Sequence, residues 1–182
     1  MRRDQMRTAS RRVAVCGLLA ALSVVLMVVS APFGVLVYAC PLLLGGVILL
    51  IRQAYGPRYA LTTFGAVSLL ALMLVADLEM TAIYIGFFGW YPVVKGRLDR
   101  LKTPLNWLFK LICFNGAVAA VYLVLAAVLG LERLGLGGLY LSLLLLAAGN
   151  VIFFLYDLML KRMTGPMPQK LSRLFFSQAE IK

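Results

Sequence analysis

The chain has 182 residues, of which 63% are hydrophobic, and its mean hydropathy is +0.95. Soluble domains are about 45–50% apolar, so this composition excludes a water-soluble fold and indicates one integral membrane domain, residues 1–182. The formal charge of +11 does not indicate a nucleic-acid partner, because the basic residues lie in short polar gaps between apolar runs, a pattern typical of proteins in a lipid bilayer.

Six apolar runs reach or approach the length of about 20 residues that a membrane-crossing helix needs. The fourth run is short, and Pro92 near its end is expected to kink or end the helix. The predicted fold is therefore an all-α membrane protein, a bundle of six transmembrane helices with a short fourth helix. The runs cover residues 12–30, 33–51, 58–76, 80–94, 105–130 and 137–160.

The segments at the two ends of the chain are polar and basic. The N-terminal segment 1–11 and the first run together also fit a secretory signal peptide. The apolar stretch is longer than a usual signal core, so we interpret it as a retained span. In the tail 163–182, basic residues alternate with Leu and Phe, which predicts either an amphipathic segment on the membrane surface or a frayed terminus.

The distribution of Lys and Arg predicts the orientation. Of the 18 basic residues, 16 lie at the two ends of the chain, in 1–12 and 161–182, and around the gaps after spans two and four, in 52–58 and 95–102. The positive-inside rule places those regions, including both termini, in the cytoplasm. The gaps near 31–33, 76–80 and 131–137 then face outward, and they hold a single basic residue, Arg133.

Polar and aromatic residues gather in and beside these outward gaps. A few polar groups among aromatic side chains are typical of a small-molecule pocket, although each residue alone also fits ordinary loop solvation. Asp77 and Glu79, between spans three and four, would suit a cationic or hydrogen-bond-donating ligand. The candidate substrate-binding residues on this side are Tyr38, Asp77, Glu79, Tyr84 and Arg133.

Two further candidates, Asn115 and Asn150, lie near the midplane of spans five and six. An amide facing lipid is costly, so both side chains are expected to point inward. They either hydrogen-bond to each other and to neighbouring backbone, or they contact the substrate.

Catalytic motifs are absent from the sequence, which contains no His and whose three Cys lie within apolar runs. The sequence therefore predicts no enzyme activity, no cofactor and no metal site. Near the end of span six, Asp157 stands four residues before Lys161, a spacing that favours an ion pair on one helix.

A strip of small residues follows one face of the first span, where Gly17 and Ala21 are four residues apart, as are Cys16 and Ala20. Such a strip lets another helix approach closely. That helix belongs either to the same bundle or to an external partner.

Together with these features, the stretch RRVAVCGLLAALSVVLM resembles the first helix of the substrate-binding S components of energy-coupling factor (ECF) transporters. GNVIFFLYDLMLKRM resembles their last helix, and GFFGWYPVVKGRLDRL is similar to uncharacterised relatives. The resemblance covers nearly the whole chain. The Ala-x-x-x-Ala strip of that family stands here as Gly17 to Ala21.

The resemblance implies a subunit of a bacterial plasma membrane that captures a vitamin-like organic nutrient on the outer face. A membrane coupling subunit would dock on Gly17, Ala20 and Ala21, and two cytoplasmic ATPases would drive delivery to the inside. Members that bind nickel or cobalt use Met-His ligands at the N-terminus, whereas this chain begins MRRD and lacks His. An organic nutrient is therefore expected rather than a metal ion.

Two alternatives remain at this point. One is a non-transport membrane scaffold, such as a small subunit of cell-wall elongation machinery, which needs the small-residue face but no cavity. The other is a stand-alone ion-coupled carrier, which is less favoured because no acid or base within the spans is clearly placed to relay protons.

Overall fold

The computed structural model describes residues 2–34, 36–99, 103–129 and 139–164. Within these ranges every regular element is a helix and no strand occurs, which confirms the all-α prediction for this part of the chain. The tail beyond residue 164 and the predicted outward gap at 131–137 lie outside the described residues. The chain divides into two compact units, Met1–Val93 and Val94–Lys182.

The described residues contain seven α-helices and one π-helical turn. They are α1 (Arg2–Ser30), α2 (Leu36–Tyr55), α3 (Pro57–Leu74), α4 (Leu78–Ile83), the π-helical turn Tyr84–Phe88, α5 (Tyr91–Leu98), α6 (Thr103–Leu129) and α7 (Leu139–Met163).

Four helices in the described ranges are long and apolar enough to cross a membrane. They are Ala9–Ser30 within α1, all of α2, all of α3, and Asn106–Val128 within α6, and they coincide with predicted spans one, two, three and five. Large apolar side chains on them are exposed, including Leu18 and Met73. The chain is thus compatible with a multi-pass membrane protein whose apolar surface faces lipid.

The region of the predicted fourth span is broken rather than continuous. After the six residues of α4, the backbone N–H of Gly89 donates to the carbonyl of Tyr84 at 2.8 Å, the i→i−5 bond of a π-helix. A side chain on Gly89 would overlap the ring of Phe64. Pro92 is the second residue of α5, where its missing N–H costs little. The break therefore precedes the proline.

In the first unit, α1, α2 and α3 pack against one another. One core cluster joins Val24 of α1, Leu44 of α2 and Val67 of α3. Between α2 and α3 the chain turns on the single residue Gly56, whose φ of 94° is a conformation that favours glycine. Pro57 then begins α3 with a φ suited to a first helical position.

In the second unit, α6 and α7 pack through aromatic side chains. The rings of Phe114 and Phe153 stack with centroids 4.7 Å apart, and those of Trp107 and Phe154 stack at 5.4 Å. These contacts align the two long helices, so that polar residues on their facing sides also meet.

Candidate functional site at Tyr38 and Glu79

Asp77 starts the short helix α4 by capping it. Its Oδ1 accepts a hydrogen bond from the backbone N–H of Met80 at 2.9 Å, and its backbone is extended. This is the geometry of an N-cap, which satisfies an amide that has no partner within the helix. Local structure therefore accounts for Asp77, and the cap fixes the direction in which α4 presents Glu79.

Glu79 and Tyr38 form a hydrogen-bonded pair that links α4 to α2. The phenol of Tyr38 donates to Oε1 of Glu79 at 2.7 Å. Both side chains are exposed, and Tyr38 keeps 52% of its surface accessible. Oε2 of Glu79 has no partner among the described residues, so the pair offers an open carboxylate oxygen beside an aromatic ring. Such a pair can accept hydrogen bonds from an ammonium, amine or hydroxyl group.

Tyr84, which the sequence analysis named as a candidate substrate-binding residue, is not accessible from the surface. Its side chain is fully buried, and its ring lies 5.8 Å from that of Phe64. It belongs to the core cluster that also contains Val37 and Met80, the neighbours of Tyr38 and Glu79. Its hydroxyl has no hydrogen-bond partner in the described part of the chain. Tyr84 therefore supports the Tyr38–Glu79 pair from within the core.

Asn115 and Asn150 meet across α6 and α7 in the second unit. Each amide donates to the side-chain oxygen of the other, at 3.1 and 3.2 Å. Each also donates to the carbonyl four residues earlier, of Leu111 and Leu146. Both hydrogens of each amide are thus used, and of the two sequence-based interpretations the structure shows the mutual hydrogen bond. Arg133, the remaining candidate, lies outside the described residues.

The small residues of α1 fall on two different faces. Cys16 and Ala20 are buried in the cores of the first unit, whereas Gly17 and Ala21 are exposed. Among the described residues, no atom lies within 4 Å of where a Cβ on Gly17 would stand. Ala20 therefore packs internally, and the part of the predicted docking strip that remains open consists of Gly17 and Ala21.

A network of four charged residues in the second unit was missed by the sequence analysis. Asp157 contacts the ammonium groups of both Lys95 and Lys110, the latter at 3.0 Å. Asp99 also contacts both, at 3.3 Å from Lys95 and 2.5 Å from Lys110. Each carboxylate thus bridges both lysines, and the network ties α5, the turn after it, α6 and α7 together.

The expected pairing of Asp157 with Lys161 is not the one observed: Lys161 is exposed, while Asp157 is buried with the other two lysines. One signal could have revealed this. Lys110 stands inside an apolar run, where a charge must find an opposite partner within the protein. Its ammonium also lies 5.5 Å from the ring centroid of Trp107, a favourable cation–π distance.

The network shifts the pKa values of its members outside the spans. Burial lowers the pKa of Lys95, and this outweighs the opposing hydrogen bond to Asp157. For Asp99, burial acts to raise the pKa, but the ammonium groups of Lys110 and Lys95 together outweigh it, and the pKa is lowered. Asp99 is therefore held in its charged form.

Comparison of the chain with protein-family models, curated proteins and solved structures found no match. The assignment of a function therefore depends on the residues and their geometry.

Proposed function

We propose that the chain is the substrate-binding subunit of an ECF-type importer that captures a small organic nutrient and delivers it inward. The observation that carries this proposal is the exposed pair of Tyr38 and Glu79, which joins two helices through a 2.7 Å hydrogen bond and leaves a carboxylate oxygen open. In this proposal the chain has six spans and both termini in the cytoplasm of a bacterium, as the resemblance implies, and the pair faces the outer side of the plasma membrane, an orientation that the distribution of basic residues supports.

The chemistry of the pair indicates the ligand class. A carboxylate with a phenol hydrogen-bonded to it attracts a group that carries positive charge or donates hydrogen bonds, and the Tyr38 ring can cover an apolar or aromatic part of the ligand. We therefore propose a vitamin-like nutrient that bears an amine or several hydroxyl groups. Glu79 would bind the donor group, and the Asp77 cap would hold α4 in position.

Transport would require partners, because the sequence contains no motif for ATP hydrolysis. The open positions Gly17 and Ala21 on α1 give a membrane coupling subunit a surface that a helix can approach closely. Two cytoplasmic ATPases attached to that subunit would supply the energy. The small-residue surface alone does not identify the partner, so the docking step needs its own test.

That test is co-purification from the native membrane with Gly17→Leu. The space around Gly17 is open, so the variant should fold and yet block close approach of another helix. Gly116→Leu is the matched control, since Gly116 on α6 is also exposed with nothing within 4 Å of a Cβ. We expect the control and the wild type to retain the coupling subunit and the ATPases, and Gly17→Leu to lose them. Equal retention by all three would refute docking at this strip.

A second candidate function, a non-transport membrane scaffold of the kind found in cell-wall elongation machinery, is favoured by two observations, one in each unit. Asn115 and Asn150 satisfy each other and Tyr84 is packed in a core, so these three residues support solid packing rather than a cavity. A scaffold would co-purify with other membrane proteins but with no ATPases and no nutrient, which distinguishes it from the importer subunit.

A further inference from the structure

At the basic end of the first unit, three spans begin or end together. The candidate span of α1 starts at Ala9, α2 ends at Tyr55, and α3 starts at Pro57. Arg12 and Arg58 therefore stand in the first turn of their spans. In a membrane this is the level of the lipid headgroups, where Lys and Arg side chains meet the phosphates of the bilayer surface.

Tyr55, at the end of α2, contacts Arg12 and precedes Arg58 by three residues. The guanidinium of Arg12 lies over its ring, 6.0 Å from the centroid, which orients Arg12 along the end of α2. The turn at Gly56 puts Arg58 only three residues after Tyr55, so their Cα atoms lie within about 11 Å of each other. The next ring, that of Tyr59, stands edge-on to Tyr55 at 6.1 Å.

The described side chains of the first unit supply no anion at this place. In residues 9–34 and 36–93, where side chains are described, the only carboxylates are Asp77 and Glu79. Both follow the far end of α3, whose 18 residues separate them from Arg58 by about 27 Å. Neither Arg12 nor Arg58 forms an ion pair with the described side chains, and both are exposed. The described part of the unit therefore leaves both guanidinium groups accessible to an anion from outside.

Exposed apolar side chains continue from each arginine into the spans. Val13 follows Arg12 on α1 and is 61% exposed, and Leu61 follows Arg58 by one turn on α3 and is 49% exposed. A charged patch that passes directly into lipid-facing apolar surface fits a molecule with an anionic head and hydrocarbon chains, rather than a soluble anion or an acidic protein.

We infer that Arg12 and Arg58, at the end of α2 marked by Tyr55, form a binding site for the phosphate headgroup of an anionic phospholipid. Arginine suits this role because its planar guanidinium can donate two parallel hydrogen bonds to phosphate. The site depends only on the membrane location of the first unit and not on the proposed transport function.

The test is native mass spectrometry of the detergent-purified full chain, titrated with dioleoyl phosphatidylglycerol or dioleoyl phosphatidylcholine. The wild type should prefer phosphatidylglycerol. Each basic side chain near an anionic surface contributes about a five-fold gain in affinity, so Arg12→Gln with Arg58→Gln should bind phosphatidylglycerol about 25-fold more weakly. Binding of phosphatidylcholine should change little. If the double variant fails to fold, each single variant should show about a five-fold loss.

The matched control is Lys161→Gln with Arg162→Gln, which removes the same charge from two exposed basic residues near the end of α7. This control should keep the wild-type preference. An excess of free glycerol phosphate should not displace the lipid, and displacement would refute a lipid as the occupant. Equal losses in both double variants, or no loss in the arginine variant, would overturn the site.

Discussion

The carboxylate of Asp157 lies 3.0 Å from the ammonium of Lys110, although 47 residues separate them in the chain. Both side chains are buried, and Asp157 also contacts Lys95. Together with Asp99, these three residues join α5, the turn after it, α6 and α7. The pattern of apolar residues alone does not specify how these helices align. The network therefore joins α6 to α7 through Lys110 and Asp157, in addition to the Asn115–Asn150 pair.

Asp157→Asn should destabilise the protein strongly. Removing one partner of a buried ion pair leaves an uncompensated charge and costs about 3–5 kcal/mol, and here Lys95 and Lys110 both lose a carboxylate. Thermal unfolding in detergent measures the effect. Lys161→Gln, a change at an exposed residue one turn away, is the control and should leave the unfolding temperature almost unchanged. Similar shifts in the two variants would show that the network contributes little.

Asp99 should make the stability fall in acid. Its pKa in the folded protein lies below the ordinary value, so the folded state binds its proton less readily than the unfolded state. The resulting stabilisation is present above about pH 4, the ordinary value for Asp, and is lost as the pH falls through the folded pKa. Unfolding temperatures measured between neutral pH and pH 2 should therefore drop less steeply for Asp99→Asn. If the unfolding temperature of this variant falls in acid as steeply as that of the wild type, Asp99 does not contribute to the acid sensitivity.

The amide pair of Asn115 and Asn150 should be energetically coupled. Asn115→Leu or Asn150→Leu alone leaves the opposite amide without its partner, which costs about 1–3 kcal/mol, whereas the double variant removes both polar groups. A double-mutant cycle on unfolding in detergent should give a coupling energy of about 0.5–1.5 kcal/mol. Additive single effects would show that the two side chains do not interact.

Gly56→Ala should destabilise the turn between α2 and α3. The φ of 94° at Gly56 is unfavourable for a residue with a Cβ, at a cost of about 1–3 kcal/mol. Gly17→Ala is the control, because Gly17 lies inside a helix with open space around it, where Ala stabilises by about 0.5–1 kcal/mol. Unfolding temperatures should therefore shift in opposite directions, and a neutral Gly56→Ala would contradict the turn geometry.

The sequence predicted the helices better than the contacts. Long apolar runs have one stable form in lipid, a helix with all backbone groups paired, so predicted spans one, two, three and five reappear as helices long and apolar enough to span a membrane. The π-helical turn at Tyr84–Phe88 was not predicted, because it depends on the close approach of the Phe64 ring to Gly89, which is a tertiary contact. Pro92 marked the right region, but the break lies before it.

Tertiary contacts also decide which of the predicted site residues are accessible and which have a structural role. Asp77 and Glu79 are both acidic and lie in the same predicted gap. Asp77 caps a helix, whereas Glu79 accepts a hydrogen bond from Tyr38, 41 residues away in the chain. Tyr84 is of a residue type that is common in ligand pockets, but its side chain is buried in the core. The pairing of Asp157 with distant lysines could not be read from local spacing, which offered Lys161 instead. Side-chain roles of this kind depend on packing between helices, which a single sequence does not specify.

Nutrient binding is tested most directly by identifying the small molecule that the purified protein carries. The wild type, Glu79→Gln and Asp77→Asn would be purified from native membranes, denatured, and their released small molecules identified by mass spectrometry. The two variants remove the same charge from the same gap, but asparagine still caps α4. We expect an amine- or hydroxyl-bearing nutrient in the wild type and in Asp77→Asn, and its loss in Glu79→Gln. A wild type that carries no such molecule, or a Glu79→Gln variant that retains it fully, would contradict nutrient binding at Glu79.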